Sequence, residues 1–203
     1  MKVIVLGCGM IGTVIAVDFA ESVENAEIIV ADKSMERAQG IASGIEGAEW
    51  AAVDSVDYAG LVRVFRGLDL VIGALPGEHG FTALRAAIDA SVSMVDISFT
   101  PENPLELNAA AKKKGVTIIP DCGVAPGLSN ILVGHAASEL ESVREAHILV
   151  GGLPEYPVPP LGYTVTWSAD GLIDEYMRDA PACNVNIMVP VFSLLKADCI
   201  LTE

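Results

Sequence analysis

The chain has 203 residues, enough for one full domain and part of another. Hydrophobic residues make up 52% of it, charged ones 19% and aromatics 5%, so it can bury a sizeable core, and that core must be aliphatic. A formal net charge of −15 argues against nucleic-acid binding and against an anionic membrane surface, and no apolar run is long enough for a membrane span.

In chain order, residues 2–6 (KVIVL) predict a buried strand and residues 10–22 a helix, with Ile11, Val14, Ile15 and Phe19 on one face. Lys2 and the apolar stretch after it imitate a signal peptide, but Gly7, Gly9, Gly12 and Asp18 interrupt that pattern. Residues 27–31 predict a second strand, followed by a helix from Ser34, as N-cap, to Ala42. Further strands are predicted at 49–53, 68–74, 93–97 and 116–120, and helices at 58–66, 78–90 and 104–114. Strand and helix thus alternate with short connections, and helices are the crossovers that parallel strands need. The expected fold class is α/β: a doubly wound parallel Rossmann sheet of order 3-2-1-4-5-6 over residues 1–124, then an incomplete second α/β domain over 125–203. In that second part a helix is expected at 127–140 and strands at 145–152 and 163–167. A proline-rich loop falls at 153–163, and a further helix at 169–177.

Gly7, Gly9 and Gly12 form a GxGxxG turn between the first strand and the first helix. At that spacing the first glycine permits the tight turn, the second lets a pyrophosphate approach the backbone, and the third lets helix and strand pack closely. Met10 and Ile11 complete the turn, where the free N–H groups of a helix start face the phosphates. Asp32, 20 residues beyond Gly12, can accept both ribose hydroxyls of NAD and would repel a 2′-phosphate. Its alternative role is a favourable acid at a helix start. NAD is therefore the expected cofactor, with Lys33 and Arg37 leaving NADP open.

Asp54 ends the third strand, where it contacts adenine or caps the following helix. Ala74, Leu75 and Pro76 end the fourth strand at the topological switch point, where ligands of such sheets bind. Asp96 and Asp121 end the fifth and sixth strands on the same rim. Each is a candidate to orient an amine or relay a proton, and each could instead cap its loop. His79 is a general-base candidate or a surface residue, and His135 and His147 read as packing residues. The histidines are too far apart, and Cys8, Cys122, Cys183 and Cys199 form no CxxC pair, so no metal site is expected. A reducing, cytoplasmic setting is the simplest reading of those cysteines.

VLGCGMIG, ALPGEHG, MVDIS, DCGVAPGLSN and GGLPEYPVPPLGYTVTWS together resemble the saccharopine dehydrogenase-like family over roughly residues 1–180. Within it, the pattern is most similar to lysine 6-dehydrogenases. The resemblance implies an NAD(P)-dependent oxidoreductase acting on the C–N bond of a small amino-acid substrate, and a second domain that often forms a homodimer. For the lysine 6-dehydrogenase type it implies oxidation at the ε-amino carbon of lysine with hydride transfer to NAD. Saccharopine-forming relatives carry a carboxylate where this chain has Ala125. That argues against a saccharopine substrate and leaves the acid–base residue unassigned. The alternatives are a saccharopine- or carboxynorspermidine-type reductase using NADP, and a truncated NAD-binding module without turnover. From about Pro181 the chain departs from the family pattern, so dinucleotide binding with little turnover is the expectation for this chain alone.

Overall fold

The computed structural model describes residues 1–149, 155, 156, 159, 162, 173, 177, 179–184 and 187–192. The chain divides into two units, Met1–Leu128 and Ser129–Glu203.

The first unit alternates strand and helix: β1 (Lys2–Leu6), α1 (Met10–Ser22), β2 (Glu27–Asp32), α2 (Met35–Ala42), β3 (Glu49–Ala52), α3 (Tyr58–Phe65), β4 (Leu70–Gly73), α4 (Gly77–Ala90), β5 (Ser93–Asp96), a 3-10 turn (Pro104–Leu107), α5 (Asn108–Lys114) and β6 (Ile118–Ile119). All six strands are parallel, in the order β3-β2-β1-β4-β5-β6. This is the α/β doubly wound sheet expected from the sequence.

The period of two along each strand divides the core between the faces of the sheet. Ile4 and Leu6 point to one side and pack with Leu61, Phe65, Val71, Leu84 and Met94. Val3 and Val5 point to the other side and pack with Ala16, Ile28, Val30, Ala38 and Ile72. β1 lies inside the sheet with apolar neighbours on both faces, which is why residues 3–6 (VIVL) are an unbroken apolar run.

The helix ends follow the local chemistry. The Ser34 hydroxyl accepts the N–H of Arg37 at 3.3 Å at the start of α2, as the sequence predicts. α3 starts at Tyr58, capped by Asp57, whose carboxylate accepts the N–H of Gly60 at 3.0 Å. Asp54 does not cap that helix. Its Oδ1 accepts the N–H of Val56 at 3.1 Å in the turn before it.

Two expectations need correction. β6 has two residues, not the five of 116–120, because Pro120 has no N–H to extend the ladder and the Thr117 N–H donates to the Ser93 hydroxyl instead. In the second unit, residues 145–149 form no strand, and Ile148 and Leu149 are exposed. Residues 150–152 lie outside the described residues, as do 163–167 and most of 169–177. That unit contains α6 (Leu128–Ser138), whose first residue closes the first unit, and an antiparallel hairpin of β7 (Asp179–Asn184) and β8 (Ile187–Phe192).

Candidate functional site

The carboxyl ends of β1, β2, β4, β5 and β6 build one rim. The turn after β1 comes first. Gly7 has φ +103°, a left-handed conformation that favours glycine, and a Cβ there would strike the Ala74 carbonyl. A Cβ on Gly12 would overlap the Gly7 carbonyl, so this glycine is what lets α1 lie against the turn. Gly9 differs from both: a Cβ built there meets nothing within 4 Å. Gly7 and Gly12 thus face protein, whereas Gly9 faces open space at the start of α1. Gly9 is the N-cap of α1 and makes no side-chain cap bond, so the first N–H groups of the helix are available to an anion. Met10 and Ile11 beside it are exposed. The cradle fits a pyrophosphate.

Asp32 closes β2 and is buried beside that turn. Its Oδ2 accepts the N–H of Cys8 at 2.8 Å, and its Oδ1 accepts the N–H of Ser34 at 2.9 Å. Arg37 approaches Oδ2 at 3.5 Å. The Cys8 thiol donates to the Ala31 carbonyl at 3.5 Å. Burial pushes that thiol up to about 11; Asp32 adds to the rise and Arg37 opposes it. Cys8 is expected to resist thiol reagents at pH 7.5 in the native chain and to react once the chain is unfolded. Mass-spectrometric mapping of the labelled Cys8 peptide checks this, and rapid native labelling would contradict it.

Across the crevice, the Ala74 N–H donates to the Leu6 carbonyl at 2.8 Å. Ala74 and Leu75 are half-buried, and Pro76 is the exposed N-cap of α4. Asp54 is exposed at the end of β3.

Asp96 lies on the expected rim, but its side chain is fully buried. The Ser98 hydroxyl donates to its Oδ2, and its Oδ1 has no hydrogen-bond partner. Asp96 pairs in register with Gly73, where any Cβ would strike Oδ1. The carboxyl folds inward because its neighbour has no side chain. Burial raises it to about 6, against the hydrogen bonds from Ser98, and Asp121 adds to the rise. Asp96 thus reaches the rim with its carboxyl turned away from solvent. Asp121 is half-buried, with φ +56°, at the turn after β6.

Sequence reasoning missed two features of this rim. Cys122 follows Asp121, and its N–H donates to the Asp96 carbonyl at 2.8 Å. Burial raises its thiol, with further contributions from Asp96 and Asp121. The segment after β5 lies across the start of α4: a Cβ on Gly77 would strike the Phe99 carbonyl, and one on Gly80 the Ser98 hydroxyl. The small residues at 77 and 80, one helical turn apart, were the signal for that close approach. His79, with its side chain 27% exposed, lies 3.3 Å from Glu78. His135 and His147 are exposed beside Glu139 and Glu145 and are not packing residues. Among the described residues no cluster of three or more His, Cys, Asp or Glu could hold a metal, and no helix is long and apolar enough to cross a membrane.

The doubly wound sheet, the glycine turn open at Gly9 and the acid ending β2 define a Rossmann-type domain of the nicotinamide dinucleotide-binding class. Residues 3–119 match the saccharopine dehydrogenase NADP binding domain, and residues 123–184 the saccharopine dehydrogenase C-terminal domain. The chain belongs to the saccharopine dehydrogenase family. A saccharopine dehydrogenase (NADP+, L-glutamate-forming) of Pyricularia oryzae is 29% identical over 72% of this chain and 34% of its own length. The Schizosaccharomyces pombe enzyme of the same name is 28% identical over 85% of this chain and 39% of its own length. The mitochondrial alpha-aminoadipic semialdehyde synthase of Mus musculus is 28% identical over 88% of this chain and 20% of its own length. This chain therefore spans between a fifth and two fifths of these curated relatives. Apo saccharopine dehydrogenase (L-Glu forming) from Saccharomyces cerevisiae shares the fold, with a TM-score of 0.67 and 22% identity over 95% of this chain and 44% of that one.

Proposed function

We propose that this chain is the cofactor-binding part of an NAD-dependent amino-acid dehydrogenase of the lysine 6-dehydrogenase type. The observation that carries the reading is the open face at Gly9 beside the carboxylate of Asp32. Gly9, Met10, Ile11 and the start of α1 would hold the pyrophosphate, with Gly7 and Gly12 shaping the turn. Asp32 would hold the adenine ribose, Asp54 the adenine, and Ala74, Leu75 and Pro76 the nicotinamide side. When bound, the nicotinamide supplies the hydride acceptor. Asp121 would steady the substrate ammonium, and Asp96 would act behind it as a positioning residue. Ala125, where the resemblance implies a carboxylate in saccharopine-forming relatives, supports lysine over saccharopine. A cytoplasmic setting and a homodimer belong to the same reading.

The second reading is an NADP-dependent, saccharopine-type reductase. It is favoured by the family's NADP binding domain, by the names of the relatives and by the exposed Arg37 beside Asp32. Absorbance at 340 nm separates the two. Lysine-dependent reduction of NAD supports the first. Saccharopine-dependent reduction of NADP, with none on lysine, replaces it with the second. Dinucleotide binding without turnover on either amine leaves a binding module.

A further inference from the structure

Residues 97–100, which follow β5, run along the turn of residues 74–76 and are tied to both of its ends. At one end the Ile97 N–H donates to the Gly73 carbonyl at 3.0 Å. At the other, the Phe99 carbonyl lies where a Cβ on Gly77 would stand. Between these ties Ser98 is buried. Its hydroxyl donates to Asp96 Oδ2 and fills, with the Thr100 methyl, the place of a Cβ on Gly80 in α4. A hydroxyl taken out of water needs an acceptor, and Asp96 supplies one. Asp96 is itself fixed from two sides. Its carbonyl accepts the Cys122 N–H at 2.8 Å, and its Oδ1 lies over Gly73. Ser98 is therefore held between a buried carboxyl and the backbone of a helix.

Resting on the reading of this crevice as a dinucleotide site, we propose that Ser98 is a positioning residue for the nicotinamide half of the cofactor. Clamped between Asp96 and Gly80, it fixes residues 97–100 against the turn of residues 74–76 and does not touch the cofactor itself. A site held rigid before binding loses less freedom when its ligand arrives. The effect is confined to one half of the crevice. Asp32 and the glycine turn have their own backbone anchors, the N–H groups of Cys8 and Ser34 and the Gly7 carbonyl against Gly12.

The test is titration of the chain with NADH, read by nicotinamide fluorescence, and with ADP-ribose, which lacks the nicotinamide, read by calorimetry. The wild type is compared with Ser98→Ala and Gly80→Ala, and far-UV circular dichroism and urea denaturation check each fold. Ser98→Ala removes the hydroxyl. Gly80→Ala keeps it but puts a methyl in its place, inside a helix that intrinsically prefers alanine to glycine. Both variants are expected to weaken NADH at least about fivefold, to change ADP-ribose less than about twofold, and to lower the fluorescence of bound NADH. A merely structural role would shift the urea midpoint and leave the ratio of the two affinities unchanged. An unchanged ratio, or two variants that fail to fold, would overturn the role of Ser98 while leaving the dinucleotide site standing. A folded wild type that binds neither ligand would overturn both.

Discussion

Gly9→Val is expected to abolish dinucleotide binding in a chain that still folds. Gly9 has extended backbone, with φ −72° and ψ −172°, which valine adopts without strain. Its Cβ would enter space that no protein atom occupies within 4 Å, which is the space a pyrophosphate needs. Valine is a poor N-cap, so α1 loses about 1 kcal/mol, a small part of the roughly 5–15 kcal/mol that holds a domain together. The expected loss of affinity for NADH is at least about a hundredfold, because the backbone can no longer reach the phosphates. Gly12→Val is the contrasting variant. Its side chain would strike the Gly7 carbonyl and lie 3.2 Å from the Ala74 Cβ, so it should destabilise the fold itself, by more than about 3 kcal/mol. Fluorescence titration and urea denaturation separate the two effects. Normal NADH binding by a folded Gly9→Val chain would reduce the turn to a structural feature.

Asp96 has the next largest expected effect, and it appears in the pH dependence of stability. Burial raises its carboxyl from 3.8 to about 6. The folded state therefore holds the proton more tightly than the unfolded state. The stability this proton provides is fully present below pH 4 and is lost as pH rises through about 6. A shift of roughly two units corresponds to about 3 kcal/mol. Asp96→Asn does not titrate. Relative to the wild type, it should gain about 2 kcal/mol in unfolding free energy between pH 4 and pH 7.5, most of the full value because pH 4 lies just above the unfolded value. Urea denaturation of both chains at the two pH values gives that double difference, in which the other carboxylates cancel. A difference that does not change with pH would mean that the Asp96 carboxyl is hydrated and ordinary in the folded chain.

The fold was legible because its signals are local and repeated. β1, β2 and β4 are short apolar runs, each followed by a turn and a helix with its own start signal. Only the parallel arrangement then buries both Ile4 and Val5, on opposite faces. The glycine turn was legible because each glycine has a separate steric cause. The depth of Asp96 was not. Its place at the end of a strand fixes the rim it reaches but not whether its carboxyl turns outward. That depends on Gly73, its partner in register on β4, and register is not written in either strand alone. The same holds for Cys122, which meets the Asp96 carbonyl across β5 and β6. Of the strand expected at 145–152, the described residues 145–149 form none. An apolar run signals a strand only by pattern, and among the described residues Ile148 and Leu149 lie exposed rather than in a ladder.

The first unit is expected to hold a nicotinamide dinucleotide across the carboxyl ends of its strands. Titration of the purified chain with NADH and NADPH, followed by nicotinamide fluorescence, tests it most directly. Saturable, one-to-one binding that excess NAD or NADP reverses is the expected result. A chain with intact far-UV circular dichroism that shows no saturation with either cofactor up to about 1 mM, where binding would be worth only about 4 kcal/mol, would contradict it.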